Sequence, residues 1–513
     1  MTGQFARVLR AEWTKFRTVR GWVVATAVAA VLIVGLGVAP GMGGTCGTGC
    51  RLPVGPEGQE VTDNFRFVHR ALTGDGSITA RLTALTGEKP SSEGPSEPGL
   101  VSWAKAGLIL KDGTDPGSSY VAVMLTGAHG VRLQYDYVHD VAGPAGDTAP
   151  QWLRLTRTGD TVTAAVSADG ARWQTVGQAT LPNLPETLEA GMFTTSPQYA
   201  EVSSQSSFGT TGAMGGPSTA TGVFDQVRLE GDAEAAWSSD QVGGPDRPED
   251  VPTGGGPDED GDTDRAAGAD TGSREEGGVF TLTGSGDIAP AVTGAAGLGT
   301  SITQTLVGTF AGLVLFVVVG VLFVTAEYRR GLIGTTLAAG PPRGRMLVAK
   351  ALVVGAVTAI TGAVAAAAVL TLGQRVLRGN GVYVHAASTA TEVRIVLGTA
   401  VLLAVCAVLA LALGVVLRRG AVALTVVLAI TVLPYLLAMS VLPADAADWV
   451  LRITPAAAFA VQQSAVEYAQ VDNLYLPVEG YFPLPPAGGL AVLLAWAAAA
   501  FTLATVVLRR RDV

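Results

Sequence analysis

Few residues in this sequence could carry chemistry, and they are scattered. Cys46 and Cys50 in "GTCGTGCR" could close a small disulfide loop on an oxidising side of a membrane, and two free thiols in a Gly-rich turn fit the spacing equally well. No further Cys or His stands near them, so a metal site is not expected. Asp112, Asp115, Asp136, Asp140 and Asp169 offer carboxylates for acid–base or calcium chemistry. Most of them sit beside Gly or Pro, where Asp is favoured for turns alone. His69, His129 and His139 are isolated from one another in the sequence. Trp103, Tyr120, Tyr135, Trp152 and Trp173 could form a stacking surface for a flat-faced ligand, although core filling is the commoner fate of such rings. No G-x-x-x-x-G-K-[ST] phosphate loop occurs. An enzyme is not expected, nor a cofactor or a nucleic-acid partner.

One further stretch carries concentrated charge. "TAEYRRGLIGTTLAAGPPRGRMLVAK", Thr325 to Lys350, holds five cations, one acid and a Pro-Pro break. It must be positioned by what flanks it, and both flanks are long and apolar. Hydrophobic residues make up 48% of the 513 residues and charged ones 15%, against roughly 25% charged in soluble chains. The mean hydropathy is +0.38. A helix needs about 20 apolar residues to cross a bilayer, and six runs qualify: Gly21–Ala39, Ile302–Ala326, Leu347–Leu372, Val393–Leu417, Ala421–Leu442 and Pro486–Leu508. The first run could be a cleaved signal peptide, but it is long for one, and its removal would leave an odd number of spans. Lys and Arg cluster before the first run, around 329–350, at 418–419 and at 509–511. That asymmetry predicts both termini in the cytoplasm and residues after the first span outside the plasma membrane. Phe5, Val8, Leu9, Trp13, Phe16 and Val19 recur near helical spacing between bases, which predicts an amphipathic helix over residues 1–20 on the inner leaflet.

After a Gly-rich outer linker, 40–58, the texture changes. From 59 to 231 short alternating runs such as "YVAVMLTG" and "WLRLTRTGDTVTAAVSADGARWQTVG" are punctuated by Gly/Asp turns about ten residues apart. They predict an all-β sandwich. Between Asp232 and Glu276 fourteen acids face three bases, an excess larger than the whole chain's net charge of -9. The segment 232–301 is therefore expected to be an acidic, disordered tether and approach to the membrane. The fold class is an α-helical polytopic membrane protein of about six spans with an inserted all-β extracytoplasmic domain, and residues 302–513 hold five of the spans.

Two family resemblances follow from these residues. "WAKAGLILKDGTDPGSSYVAVMLTGAHGVRLQY" with the later strands resembles concanavalin-like jelly-roll modules, which implies a binding role toward a glycan or a protein. "AEYRRGLIGTTLAAGPPRGRMLVAK" and "RAEWTKFRTVRGW" resemble the inner loop and N-terminal elbow helix of type 2 ABC export permeases of actinobacteria. That resemblance implies a dimer of permease subunits driven by a separate ABC ATPase. It also implies that the loop 327–346 docks on that ATPase, with Leu332, Ile333 and Leu337 as an apolar edge and Glu327, Arg329, Arg330, Arg343 and Arg345 as its charged groups. The family's simple members have only a short loop where the β domain stands here, which implies an added sensing or docking role outside. The competing expectation is a surface protein whose β domain binds cell-wall glycan or a partner, with the spans as an anchor; six spans are more than an anchor needs.

Overall fold

The computed structural model describes residues 2–39, 52–91, 96–144, 148–182, 184–205, 210–233, 236–243, 271–294, 300–329, 343–440 and 442–510. Among the described residues, six helices are long and apolar enough to cross a membrane: Arg20–Val38, Gly308–Tyr328, Arg343–Gly379, Thr389–Leu417, Gly420–Met439 and Pro486–Arg510. A separate helix, Thr2–Thr18, precedes the first span. The second span begins later than the hydropathy predicts. Ser301 caps a short helix, Ile302–Thr305, through a capping box with Gln304, and the chain turns before the span proper begins at Gly308. The third span runs further at both ends than the expected 347–372.

The fourth span, Thr389–Leu417, is the hub, packed against the second, third and sixth. Small residues let the helices approach closely, as lipid-embedded bundles require. A Cβ on Gly320 would stand 2.4 Å from the Ala407 carbonyl oxygen, and one on Gly308 would stand 2.3 Å from that of Ile33. Cys406 is a buried, unpaired packing residue of the fourth span. Between the fifth and sixth spans a helix, Ala444–Ile453, leads into a 3-10 segment, Pro455–Gln462, whose eight residues are all buried. Gln462 Nε2 there donates to Thr309 Oγ1 at 3.0 Å and Thr399 Oγ1 at 3.1 Å, fastening the segment to the second and fourth spans.

The β domain is built on one 25-residue strand, Phe65–Lys89. Its first part pairs with Thr187–Thr195 and its second with Gln151–Thr158, while Thr219–Ala233 runs along its other edge. The change of partner falls around Gly74, whose φ is +69°, and Gly76, where a Cβ would lie 2.4 Å from the Glu230 carbonyl oxygen. The resulting barrel-like sheet folds back on itself. Strands Lys105–Lys111 and Tyr120–Thr126 are buried at every position. Their alternation divides between two cores, as a period of two demands. Leu108, Leu110, Val121, Val123 and Leu125 join Leu153, Leu155 and Val162 in one. Ile109, Tyr120, Ala122 and Met124 join Phe65, Phe67 and Phe193 in the other.

The β fold also extends past the expected boundary at 231. Ser238–Val242 pairs with the long strand, Val279–Gly284 pairs with Thr219–Ala233, and Gly272–Glu276 pairs with Val279–Gly284. Ile288–Pro290 then pairs with Val61–Asp63, so the chain enters and leaves the domain side by side. The expected tether from 232 to 301 is thus partly sheet, because "VFTLTG" has strand alternation despite its acidic surroundings. Residues 244–270 lie outside the described residues.

These late strands close a polar layer under the second core. Lys105 and Lys111 are fully buried. Lys105 Nζ donates to Asp287 Oδ1 at 2.6 Å and to the Ile288 carbonyl at 2.9 Å. Lys111 Nζ donates to Asp63 Oδ2 at 2.8 Å, which also accepts from the Tyr137 hydroxyl and the Gly117 N–H. A separated segment 52–294 should therefore melt cooperatively by circular dichroism. A segment ending at 231 lacks Asp287 and leaves the buried Lys105 ammonium without its carboxylate, a loss of about 3–5 kcal/mol. It should melt far lower or not fold; equal melting temperatures would show that the late strands add nothing.

A second prediction concerns His69. Its Nδ1 lies 2.6 Å from Glu189 Oε2 and its Nε2 2.7 Å from Asp240 Oδ2. Burial works against protonation, but the two carboxylates outweigh it and raise the imidazole's pKa above 6.5. The folded-state pKa exceeds the unfolded one, so this stabilisation is complete below about 6.5 and fades as pH rises through the raised value. The melting temperature of the β domain should fall across that window, and His69→Gln should flatten the fall. An unchanged slope in the variant would assign the pH dependence elsewhere.

Candidate functional site

The residues that converge most closely stand where the N-terminal helix meets the ends of two spans. Glu12 and Phe16 are one helical turn apart and both buried, at 2% and 4% exposure. Glu327 lies at the end of the second span and Lys350 two turns into the third. Lys350 Nζ, fully buried, donates to Glu12 Oε2 at 2.8 Å and to Glu327 Oε1 at 2.7 Å. Lys15 Nζ donates to Glu12 Oε1 at 3.1 Å and to the same Glu327 Oε1 at 3.0 Å. Two ammonium groups and two carboxylates therefore form a closed, neutral network. Burial alone would disfavour the charge on Lys15, but the two carboxylates outweigh it and its pKa is raised. Lys350 Nζ also lies 4.7 Å from the Phe323 ring centre, and Phe323 packs edge-on against Trp22 at 4.9 Å.

The third span connects this network to the β domain. It is helical from Arg343 to Gly379, with one π-helical turn at Val369–Gly373. At 1.5 Å per residue that is about 55 Å, against a lipid core of about 30 Å. The excess carries the following residues to the β domain. His385 Nδ1 lies 2.9 Å from Glu60 Oε2, and the Ala386 N–H donates to Glu60 Oε1 at 3.3 Å. Burial opposes ionisation of Glu60, but hydrogen bonds from His385, Tyr383 and Ala386 hold its carboxyl below the usual range. The segment before the sixth span adds more contacts. Gln470 Nε2 donates to the Val138 carbonyl at 3.1 Å, and Asn473 Nδ2 donates to that of Thr293 at 2.8 Å. The Tyr481 hydroxyl donates to the Thr293 carbonyl at 3.1 Å.

Within the membrane part, a cavity of about 660 Å³ lies between the first, second, third and fifth spans and the buried 3-10 segment. Its walls are mainly apolar, including Leu36, Phe310, Leu377, Tyr435, Met439 and Phe459, with Thr303, Gln304 and Gln462 as polar points. Such a lining suits a molecule with an apolar body and a neutral polar group.

Residues 162–513 match the family model described as "ABC-2 family transporter protein". The chain belongs to that family. It is a multi-pass membrane permease of the ABC-2 transporter type with an inserted β domain. The match begins inside the β domain and runs through the last five spans. No curated protein matches the chain. Among solved structures, a functionally unknown protein from Saccharomyces cerevisiae is 16% identical over 33% of this chain and 74% of its own, with a TM-score of 0.18. Scytalido-glutamic peptidase with a transition state analog inhibitor is 13% identical over 43% of this chain and 98% of its own, with a TM-score of 0.24. Overlaps that low bear on neither the fold nor the activity of this permease.

Among the residues expected in the coupling loop, Glu327 is in the ion network, and Arg343 Nη1 donates to the Leu508 carbonyl at 2.9 Å, tying the third span to the sixth. Arg345 is half-buried on the first turn of the third span, and Arg329 ends the helix of the second. Arg330, Leu332, Ile333 and Leu337 lie outside the described residues, as do Cys46 and Cys50. The expected stacking set separates. Trp103 and Tyr120 are 3% and 1% exposed. They cannot take a ligand, because each is already packed, Trp103 on His129 and Tyr120 on Tyr137. Tyr135 stacks on His139. Trp152 and Trp173 remain half-buried, with Arg81 5.8 Å and Arg154 3.8 Å from their ring centres. The sequence reading passed over Glu12, Lys15 and Lys350 as site residues. The available signal was Glu12 as the lone acid of a basic helix, and Glu327 and Lys350 as opposite charges at the edges of consecutive spans.

Replacing Lys350 with Met leaves two buried carboxylates against one half-exposed ammonium, and about 3–5 kcal/mol should be lost. The purified permease should melt several degrees lower. Glu12→Gln combined with Lys350→Met should cost clearly less than the sum of the two single changes, since the second removes a charge the first has already orphaned. Strict additivity in that double-mutant cycle would mean that the four groups do not act as one network.

Proposed function

We propose that this permease is the membrane subunit of an ATP-driven exporter, of the type found in actinobacteria, that acts as a dimer and takes its motion from a separate ATPase chain. The 513 residues hold no G-x-x-x-x-G-K-[ST] loop, which fits the assignment of ATP hydrolysis to a second protein. The observation that carries the reading is the ion network. It locks the N-terminal helix to both flanks of the loop 327–346, so that a push on the loop moves the helix and two spans as a rigid body. The Lys/Arg asymmetry supports placing this face, with both termini, in the cytoplasm and the β domain outside the plasma membrane.

On this reading the loop is the docking element. Leu332, Ile333 and Leu337 form its apolar edge, and Arg329, Arg330, Arg343 and Arg345 pair with acids on the ATPase. The cavity of about 660 Å³ lies on the substrate's route, and its lining favours an apolar or amphipathic cargo. The β domain, of concanavalin-like jelly-roll type, senses or binds a glycan or protein outside. Its docking through Glu60 and His385 at the far end of the third span gives it a direct line to the ion network.

Replacing Gly331–Leu337 with a Gly/Ser linker, while keeping every arginine, tests the coupling role. Membrane insertion should survive, whereas the ATPase should no longer copurify and its activity should lose dependence on the permease. An ATPase that still copurifies and remains coupled would reduce the loop to a topology signal.

A further inference from the structure

A second cleft lies at the same face of the membrane domain, between the second and fifth spans. The sequence "LRRG", Leu417–Gly420, makes the tight hairpin between the fourth and fifth spans. Arg418 ends the fourth span with φ at +57°, a left-handed conformation uncommon for a residue other than Gly. Its guanidinium carbon lies 5.4 Å from the Tyr328 ring centre, and its Nε is buried with no hydrogen-bond partner among the described residues. Arg419 beside it is exposed. The acid beside Tyr328, Glu327, gives its Oε1 to Lys15 and Lys350, while its Oε2 is buried with no hydrogen-bond partner among the described residues. Behind the two arginines opens a cavity of about 630 Å³ walled by Val318, Val321, Leu322, Ala421 and Leu424. Leu322 is 42% exposed, so the second-span wall reaches the outside of the helix bundle.

We infer that this cleft binds one anionic phospholipid, with its phosphate on Arg418 and Arg419 and an acyl chain along the apolar wall. Depth fits, because Tyr328 ends the second span and Gly420 begins the fifth, where a bilayer's headgroups begin. Charge fits, because a phosphate oxygen supplies the acceptor that the buried Nε lacks, and guanidinium–phosphate bonds are among the stronger hydrogen bonds. Free phosphate would satisfy the arginines and leave the apolar wall uncovered. A second copy of the chain would cover the wall and bring no anion to the buried Nε. A lipid of the leaflet at this face supplies both from the solvent the spans already occupy. The inference needs only that the helices cross a membrane, and it stands or falls separately from ATPase coupling.

The test uses the full chain in detergent with added phosphatidylglycerol or phosphatidylcholine, read by native mass spectrometry and by melting temperature. Phosphatidylglycerol should be retained about tenfold or more in preference, the return from charge-assisted bonds to two arginines, and should raise the melting temperature. Arg418→Gln and Arg419→Gln should each reduce the preference, the latter from an exposed position that leaves folding intact. Ala421→Trp should fill the cleft and abolish retention with both arginines present. Equal retention of the two lipids would overturn the inference. So would an equal thermal shift from inorganic phosphate alone. A change of oligomeric state in Ala421→Trp with lipid preference intact would instead assign the cleft to a second copy, and the lipid site would be wrong.

Discussion

A lysine ammonium buried in an apolar interior is tolerable only beside carboxylates, and the placement of the N-terminal helix against the adjoining ends of the second and third spans follows from that one requirement. Lys350 is fully enclosed. Its two acceptors come from elements far apart in sequence, Glu12 from the N-terminal helix and Glu327 from the second span. Neither helix can slide without exposing a bare charge to an apolar interior. The hydrophobic contacts of Phe16, Trp22 and Phe323 around it are not directional and would accept several registers. The ion network selects one of them. Lys15, partly exposed, completes the charge balance and can exchange with water at little cost, so the network has one rigid member and one adaptable one.

The β domain solves its attachment in the same way. Lys105 and Lys111 sit at the two ends of one fully buried strand, and each is answered by an aspartate beside a point where the chain enters or leaves the domain, Asp287 and Asp63. The pairing of Val61–Asp63 with Ile288–Pro290 is therefore held by buried charge as well as by backbone hydrogen bonds. The domain then meets the permease through polar contacts, with Glu60, Thr293, Asn473 and Tyr481 among them. A small apolar cluster of Ala289, Val292 and Val471, with Tyr468 against it, packs beside these polar contacts.

How much of this was legible depends on the range of each signal. The six spans and the strands from 59 to 231 rest on local periodicity and were readable, because a run of apolar residues or an alternation needs only its neighbours. The strands Val279–Gly284 and Gly272–Glu276 were hidden by the acids around them, since composition was averaged over a window that held both ordered and highly charged residues. The short helix before the second span was hidden for the opposite reason: Ile302–Thr305 continues the apolar run, and only the capping box at Ser301 and Gln304 marks the break. Full burial of Trp103 and Tyr120 could not be separated from the half-burial of Trp152, because ring type says nothing about which layer of a folded-over sheet a strand enters. The network itself joins residues more than three hundred positions apart, Glu12 and Lys350, and no local pattern encodes such a meeting.

The third span gives these two polar junctions a common mechanical element. A helix is stiff over its length, so a displacement of Lys350 at one end is carried toward His385 beyond the other, except for what an irregular turn between them takes up. Among the described residues of that helix, the one irregular turn is the π-helical stretch Val369–Gly373, the local geometry most able to take up a change of register. It lies against the first span, where a Cβ on Gly37 would come within 3.1 Å of Val369. On the proposed function, a ligand that shifts the β domain would bias the position of Lys350 through this helix, and an ATPase that shifts the inner loop would bias the β domain in return. The two effects are one coupling free energy measured from opposite ends, so neither can exist without the other. The bonds of Glu60 to His385 and Ala386 fasten the β domain directly to the residues that follow this helix.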